Sequence, residues 1–227
     1  MARSPLVVLL LTLLCSEAVS AQRCSGNPSF TGSPFHFAAN LGTDRLAGRY
    51  TGEIRARVSG LFAAVDAGVK TWSDASFAGE SNELGLAVGL QLPRGRESRL
   101  ELCPLLSWAT TIGPDNTAGG SWTYNEKSLS VKLSAGYLLT RNKTWDVVPT
   151  ATVAYGTTNA KLTTVFGGNR ATYGSFCCGR RSFATVSLGI GFGFAHQAAL
   201  IPSVDLPLSS NRETTYGLRL ALRLSGL

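Results

Sequence analysis

Strict alternation of apolar and polar residues limits the fold of this chain more than any other feature of its sequence. In the stretch SLSVKLSAGYLL, residues 128–139, one parity is apolar throughout: Leu129, Val131, Leu133, Ala135, Tyr137 and Leu139. As far as Gly136, the other parity holds only serine, lysine and glycine. Because successive side chains of a β-strand point to opposite faces, this period predicts a strand with one apolar and one polar face.

The same two-residue period recurs from about residue 52 onward and predicts an all-β fold. Further segments with this pattern are 53–72, 83–93, 99–108, 145–155, 182–195, 198–208 and 214–227. Short turns such as RGRE, TRNK and HQ alternate with longer polar links such as TTIGPDNTAGGSWTYNE and the stretch from about 158 to 181. Short turns at one end and long loops at the other are typical of an antiparallel, up-and-down transmembrane β-barrel.

The predicted number of strands depends on residues 53–72. The apolar parity of this segment changes around Ser59 and Gly60, where a β-bulge would shift the phase by one residue. Taken as one long bent strand, the segment brings the total to eight, and we predict an eight-stranded barrel. Nine or ten strands are the alternatives, and an odd number fits closed bacterial barrels poorly.

The polar parity of these strands carries small residues and charges of both signs. Side chains nearly fill the lumen of an eight-stranded barrel, so small residues with a mixed charge network suit that lumen. We predict that Arg219, Arg223 and Lys132 pair with Glu101, Asp146 and Asp205, which would plug the lumen. The predicted lumen charge network comprises Asp66, Glu101, Asp146, Asp205, Lys132, Arg99, Arg219 and Arg223.

Aromatic residues on the apolar parity lie near the ends of several segments. A tilted strand from Trp145 to Tyr155 spans roughly 25 Å, which matches the apolar band of an outer-membrane barrel. The predicted aromatic girdle contains Trp108, Tyr137, Trp145 and Tyr155. Ordinary aromatic packing in a soluble core is the alternative interpretation.

Residues 1–21 have the layout of a secretory signal peptide, with a basic residue, an apolar run and small residues up to Ala21. Residues 22–48 show no clear period and are predicted to be flexible, which leaves 49–227 as the barrel domain. Export permits disulfides, and spacing alone does not give their connectivity. Cys103 lies on the inward parity, and Cys24 would reach it if the N-terminal segment entered the barrel. The candidate disulfide cysteines are Cys24, Cys103, Cys177 and Cys178.

From about residue 50 to residue 227, the chain resembles the OmpA/OmpX-like eight-stranded outer-membrane barrels, often described as porin-family or outer-membrane β-barrel domains. The resemblance rests on the leader, on the hairpin ELGLAVGLQLP with RLELCPLLSW, and on the closing strand TYGLRLALRL. It implies a location in the outer membrane of a Gram-negative bacterium, with short periplasmic turns and longer extracellular loops. The implied partners are outer-membrane lipid and lipopolysaccharide.

Catalytic chemistry lacks a candidate constellation in this sequence. Acyl transfer needs a Ser or Cys beside a histidine that a carboxylate orients, whereas His36 falls in the irregular N-terminal segment and His196 in a short turn. The adjacent Cys177 and Cys178 do not have the spacing of a zinc site. We therefore predict a monomeric, non-enzymatic protein without catalytic residues, cofactor, metal or nucleic-acid partner.

The predicted role is structural, adhesive or surface-interacting. The first alternative is a soluble secreted barrel that binds a small apolar ligand. The second alternative is a lipid A-modifying outer-membrane enzyme or a narrow pore.

Overall fold

The computed structural model describes a short N-terminal segment and a series of β-strands. The described residues are 23–25, 35–45, 47–58, 60–72, 79–92, 99–116, 121–141, 144–166, 169–173, 179–195, 197–209 and 213–223. The predicted signal peptide, Cys177, Cys178 and His196 lie outside these ranges. Within the described ranges, no helix is long and apolar enough to cross a membrane.

The regular structure consists of one 3-10 turn, η1 (Arg23–Ser25), and twelve strands. The first six strands are β1 (Phe35–Thr43), β2 (Ala47–Val58), β3 (Leu61–Trp72), β4 (Gly79–Leu90), β5 (Leu100–Asn116) and β6 (Ser121–Tyr137). The others are β7 (Thr140–Arg141), β8 (Trp145–Phe166), β9 (Asn169–Tyr173), β10 (Gly179–Phe194), β11 (Ala198–Pro207) and β12 (Thr215–Arg223).

Ten of these strands form a closed antiparallel up-and-down barrel. Around the ring the order is β1, β2, β3, β4, β5, β6, β8, β10, β11 and β12, and β12 pairs with β1. The short strands β7 and β9 both pair with β8 and are additions to the ring. Because the ring is closed, each barrel strand has a hydrogen-bonded neighbour on both sides.

The prediction of eight strands is wrong, because residues 53–72 belong to two strands and not to one bent strand. β2 and β3 are a hairpin in which Val58 is opposite Leu61. Directly opposite residues of an antiparallel pair face the same side of the sheet. The two-residue connection therefore changes the apolar parity from even to odd. Gly60 adopts a φ of 88°, a conformation that favours glycine.

The tenth strand comes from the segment that was expected to be flexible. β1 (Phe35–Thr43) turns Phe35, Phe37 and Leu41 outward, and it pairs with both β2 and β12. His36, expected in an irregular segment, therefore lies on a barrel strand and is buried. The barrel begins at Phe35, earlier than the predicted boundary at residue 49.

Two stretches expected to be long loops are largely strand. β5 continues to Asn116 and β6 begins at Ser121, so the paired region includes most of TTIGPDNTAGGSWTYNE. β8 extends to Phe166, and its last residues pair with β9. These strands continue past the part of the barrel where outward residues are apolar, which is why the alternation of the sequence fades there.

The barrel has two ends, which we name by their connections. The turn end holds the hairpin at Gly60, the turn between β10 and β11, the start of β1 and the end of β12. The loop end holds the connections from β3 to β4, from β5 to β6 and from β11 to β12. The extended ends of β5, β6 and β8 lie at the loop end.

Candidate functional site

The outer face of the barrel is apolar and exposed, as the alternation predicts. Leu133 in the middle of β6 has 52% of its surface exposed, and its neighbours Leu129 and Val131 are exposed as well. Every strand of the ring contributes to this face, including Ile54 on β2 and Leu220 on β12. A continuous apolar surface of this extent is far larger than the patches found on monomeric soluble proteins.

Aromatic side chains lie on the outer face at two levels. Toward the turn end, Tyr137 and Trp145 are exposed, and Phe194 is opposite Trp145. Further toward the loop end, Tyr155 is exposed and Trp108 is half-buried. The structure adds Tyr50 and Tyr216, both exposed on the outer face near the loop end. Both tyrosines fall on the apolar parity of their segments, which is the sequence feature that could have identified them.

The interior carries charged side chains, with pairings that differ from those predicted. The Arg219 Nη2 atom lies 2.8 Å from Glu53 Oε1, and Arg55 Nη2 lies 3.0 Å from the same oxygen. Glu53 therefore forms ion pairs with two arginines. Arg55 is on the same strand, β2, and Arg219 is on β12, with β1 between them. The predicted acidic partners of Arg219 were Glu101, Asp146 and Asp205, none of which forms an ion pair with it among the described residues.

A second group of interior charges surrounds Arg49 on β2. Its guanidinium pairs with Glu83 on β4 and lies 3.9 Å from Asp66 on β3. Glu83 also accepts a hydrogen bond from Thr111. Sequence reasoning missed Arg49 and Glu53 because β2 was not recognised as a separate strand, although their shared odd parity marks them as facing the lumen.

The remaining members of the predicted network occupy different environments. Lys132 is in the electrostatic field of Asp66 and Asp205. Asp146 is buried near the turn end, and Arg223 is half-buried at the end of β12. Arg99 is exposed and lies just before β5, at the turn end.

The turn end of the lumen is occupied by η1. The backbone N–H of Arg23 donates a hydrogen bond of 2.8 Å to Glu101 Oε2, and its guanidinium lies 3.7 Å from Glu101 Oε1. A disulfide joins Cys24 to Cys103 on β5. Both cysteines belong to one buried cluster with Phe62, and Leu105 packs against this cluster.

The Cys24–Cys103 bond, which joins residues 79 positions apart, is expected to stabilise the folded barrel. Replacing both with alanine should lower the free energy of unfolding by about 2–4 kcal/mol, because the unfolded chain regains the freedom of a long closed loop. Urea unfolding in lipid vesicles measures the loss, and peptide mapping without reductant should recover the two cysteines together. The control replaces Cys177 and Cys178. Equal losses in both double variants would contradict the pairing.

Aromatic and charged residues meet near the loop end of the lumen. The Lys70 ammonium lies 3.7 Å from the centre of the Trp72 ring, and that ring packs edge-on against Tyr124. The Trp72 indole N–H donates to Ser81 Oγ at 3.0 Å, and Tyr124 donates its hydroxyl hydrogen to Glu126. This cluster connects β3, β4 and β6 on the loop-end side of the Glu53 ion pairs.

Of the two histidines in the sequence, His36 lies within the described residues, where it is buried on β1. On β1 it lies opposite Arg55 of β2 and Arg223 of β12. The charged groups near this ring are Arg55, Arg57, Arg219 and Glu53. Among the described residues, no group of three or more His, Cys, Asp and Glu side chains is arranged to hold a metal ion.

No protein-family model and no curated protein matches the chain. Among solved structures, the translocator domain of the autotransporter NalP from Neisseria meningitidis has 14% identity and a TM-score of 0.46, over 84% of this chain and 87% of that chain. The KdgM porin has 9% identity and a TM-score of 0.39, over 84% and 99% of the two chains. Ail, the attachment invasion locus protein of Yersinia pestis, has 11% identity and a TM-score of 0.36, over 83% and 96%. Likeness at this level carries no conclusion about activity.

Proposed function

We propose that this protein is a non-enzymatic integral barrel of the bacterial outer membrane, with a lumen closed at the turn end and a structural or surface-interacting role. The observation that carries the proposal is the exposed apolar outer face around a polar, charged interior. In a lipid bilayer the apolar side chains of this face contact acyl chains and not water. A closed ring also satisfies the hydrogen bonds of its barrel strands internally, as a bilayer requires.

The dimensions of the outer face fit a bilayer. Exposed aromatic residues flank the apolar side chains at two levels, represented by Trp145 toward the turn end and Tyr155 toward the loop end. Ten residues of a tilted strand cover roughly 25 Å, the height of the apolar band in outer-membrane barrels. An even number of strands also agrees with bacterial barrels of this class.

A soluble barrel that binds an apolar ligand is the less favoured candidate. Such a protein needs an apolar cavity, whereas Glu53, Arg55 and Arg219 form ion pairs inside this barrel. It also needs a polar exterior, whereas Leu133 and Val153 are more than half exposed on the outside. Both the charged interior and the apolar exterior therefore favour the membrane protein over the soluble barrel.

The surface role is assigned to the loop end. Beyond Tyr155, outward residues become polar and include Asn159 and Lys161 on β8 and Lys127 on β6, all exposed. The two lysines would meet phosphate groups of lipopolysaccharide at the edge of the bilayer. The paired extensions of β5, β6 and β8 then offer a polar surface outside the membrane to a partner.

Cell fractionation tests the membrane placement. The protein is expected in the outer-membrane fraction, extractable only with detergent, and its migration in SDS gels should shift after heating, because closed barrels resist unfolding by SDS at room temperature. A periplasmic maltose-binding protein serves as the soluble control in the same preparation. Recovery as a freely soluble monomer, with migration unaffected by heating, would contradict the proposal.

A further inference from the structure

We propose that residues 23–25 are a tethered stopper, and that the lumen beyond it is a passage that conducts small ions when the stopper is removed. The inference rests on the membrane placement proposed above and adds to it a latent channel. It differs from a lumen plugged by its own wall charges, since the seal belongs to a separate piece of chain.

A ten-stranded barrel has more interior space than the eight-stranded barrel expected from the sequence. Barrel diameter grows roughly in proportion to strand number, and eight strands give a lumen that side chains just fill. Two additional strands therefore enlarge the lumen beyond what the same side chains fill. Something more than the wall is needed to close it.

The interior ion pairs run along the wall. Glu53 on β2 reaches Arg219 on β12 with only β1 between them, and Arg49 on β2 reaches Asp66 and Glu83 on the next two strands. All of these pairs join residues of the same strand, neighbouring strands or strands one apart in the ring. These pairs stabilise the wall and do not themselves reach across the lumen, although near the loop end the Trp72–Tyr124 contact joins β3 to β6.

Water access differs between the two ends of the lumen. The inward side chain of Arg49, toward the loop end, is 48% exposed, and that of Asp66 is 25% exposed. At the turn end the side chain of Glu101 has no exposed surface, and Gln91 and Asp146 are equally enclosed. The lumen is thus accessible to water from the loop end and closed at the turn end, where η1 lies.

The wall is shaped to receive η1. At Gly136 on β6, an added Cβ would lie 2.0 Å from the carbonyl oxygen of Arg23, so only glycine lets the segment approach this closely. On the neighbouring strand β5, Glu101 is the register partner of Gly136; it accepts the backbone N–H of Arg23 and pairs with its guanidinium. The Cys24–Cys103 bond fixes the segment to β5, in the buried cluster that also contains Phe62.

The tether is enclosed, which makes the seal permanent in the intact protein. Cys24 is 3% exposed and Cys103 is fully buried, so a dissolved thiol does not reach the sulfur atoms while the barrel is folded. Predicted cleavage after Ala21 would leave Arg23 as the second residue of the mature chain. The stopper would then be the first turn of the mature protein, held by the disulfide and by the contacts of Arg23 with Glu101.

Planar-bilayer recording tests the stopper on the full mature chain, first by comparing the wild type with one triple variant. The wild type is expected to stay closed. A variant that carries Cys24→Ser, Cys103→Ser and Arg23→Ala loses the disulfide and the guanidinium–Glu101 ion pair, and its current should rise about tenfold or more above wild type because a ten-stranded lumen is then open. Insertion is measured separately, by the heat-dependent gel shift and by protease protection in vesicles.

A glycine pair provides the second test and keeps both cysteines. Gly136→Ala displaces Arg23 and should raise the current, whereas Gly42→Ala meets its nearest atom at an ordinary 3.7 Å and should behave as wild type. Equal currents for these two variants would overturn the stopper even if the triple variant fails to fold.

The outcomes separate the two proposals. Inserted variants that stay as closed as the wild type would overturn the stopper and leave the membrane placement standing. An inserted wild type with steady large conductance would do the same. Failure of the wild type to insert would overturn the membrane placement and the channel together.

Discussion

Replacing Glu53 with glutamine is expected to lower the free energy of unfolding by about 3–5 kcal/mol, the usual loss when one member of a buried ion pair is removed. The Glu53 side chain is 12% exposed and accepts hydrogen bonds from both Arg55 and Arg219. Without its charge, two guanidinium groups remain in the same enclosed part of the wall. Unfolding by guanidinium chloride of protein reconstituted in vesicles measures the loss of unfolding free energy.

Glu80→Gln is the matched control for this substitution. Glu80 is exposed at the loop end of β4, so its loss should be within about 0.5 kcal/mol. The double variant Glu53→Gln/Arg219→Gln should lose less than the sum of its two single variants, because residues that share an ion pair are energetically coupled. Additive losses would contradict the assigned pairing.

Replacing Leu133 with arginine should lower the free energy of unfolding in a bilayer by about 2–4 kcal/mol, the loss measured for cations at the midplane of such barrels. Leu133 is exposed on the outer face of β6, opposite Pro104 on one neighbour and Val153 on the other. A guanidinium there would face acyl chains. Unfolding by urea in phosphatidylcholine vesicles gives the measurement.

Position 139 offers the comparison for this second substitution. Leu139 is also exposed and lies beyond the aromatic Tyr137, at the turn end of the outer face. Near the interface the cost of an arginine falls to about 0–1 kcal/mol. If Leu133→Arg and Leu139→Arg were equally stable in vesicles, the outer face would not be the lipid-facing surface.

Much of the barrel follows from the two-residue period of the sequence. The outward row that begins at Leu129 and includes Leu133 was readable because each apolar residue is followed by a small or polar one. The same period gave the inward positions of Asp66, Lys132 and Arg219. Periodicity works here because one face of each strand meets a different surrounding from the other.

The strand count could not be read in the same way. A two-residue hairpin and a β-bulge both change parity by one, so residues 53–72 are compatible with either structure. β1 was hidden because the segment around it is rich in glycine, serine and proline. Its own alternation, from Phe35 to Leu41, is only a few residues long.

The partners inside the lumen were beyond the reach of the pattern. Parity shows that Glu101 faces inward, but it does not show that Arg23, before the first strand, comes back to meet it. Likewise the closeness of Glu53 to Arg219 depends on closure of the ring between β12 and β1. Such contacts require the register of the whole barrel.

The seam between β1 and β12 makes ring closure a late event in folding. His36 is paired with Arg223 and Thr43 with Tyr216, so the first barrel strand waits for the last one to be synthesised and exported. Contacts so distant in sequence form slowly. Until then both strands have open edges that can pair with other chains. Cys24 and Cys103, by contrast, both precede β6, so their bond can already hold the early half of the sheet together while the last strand arrives.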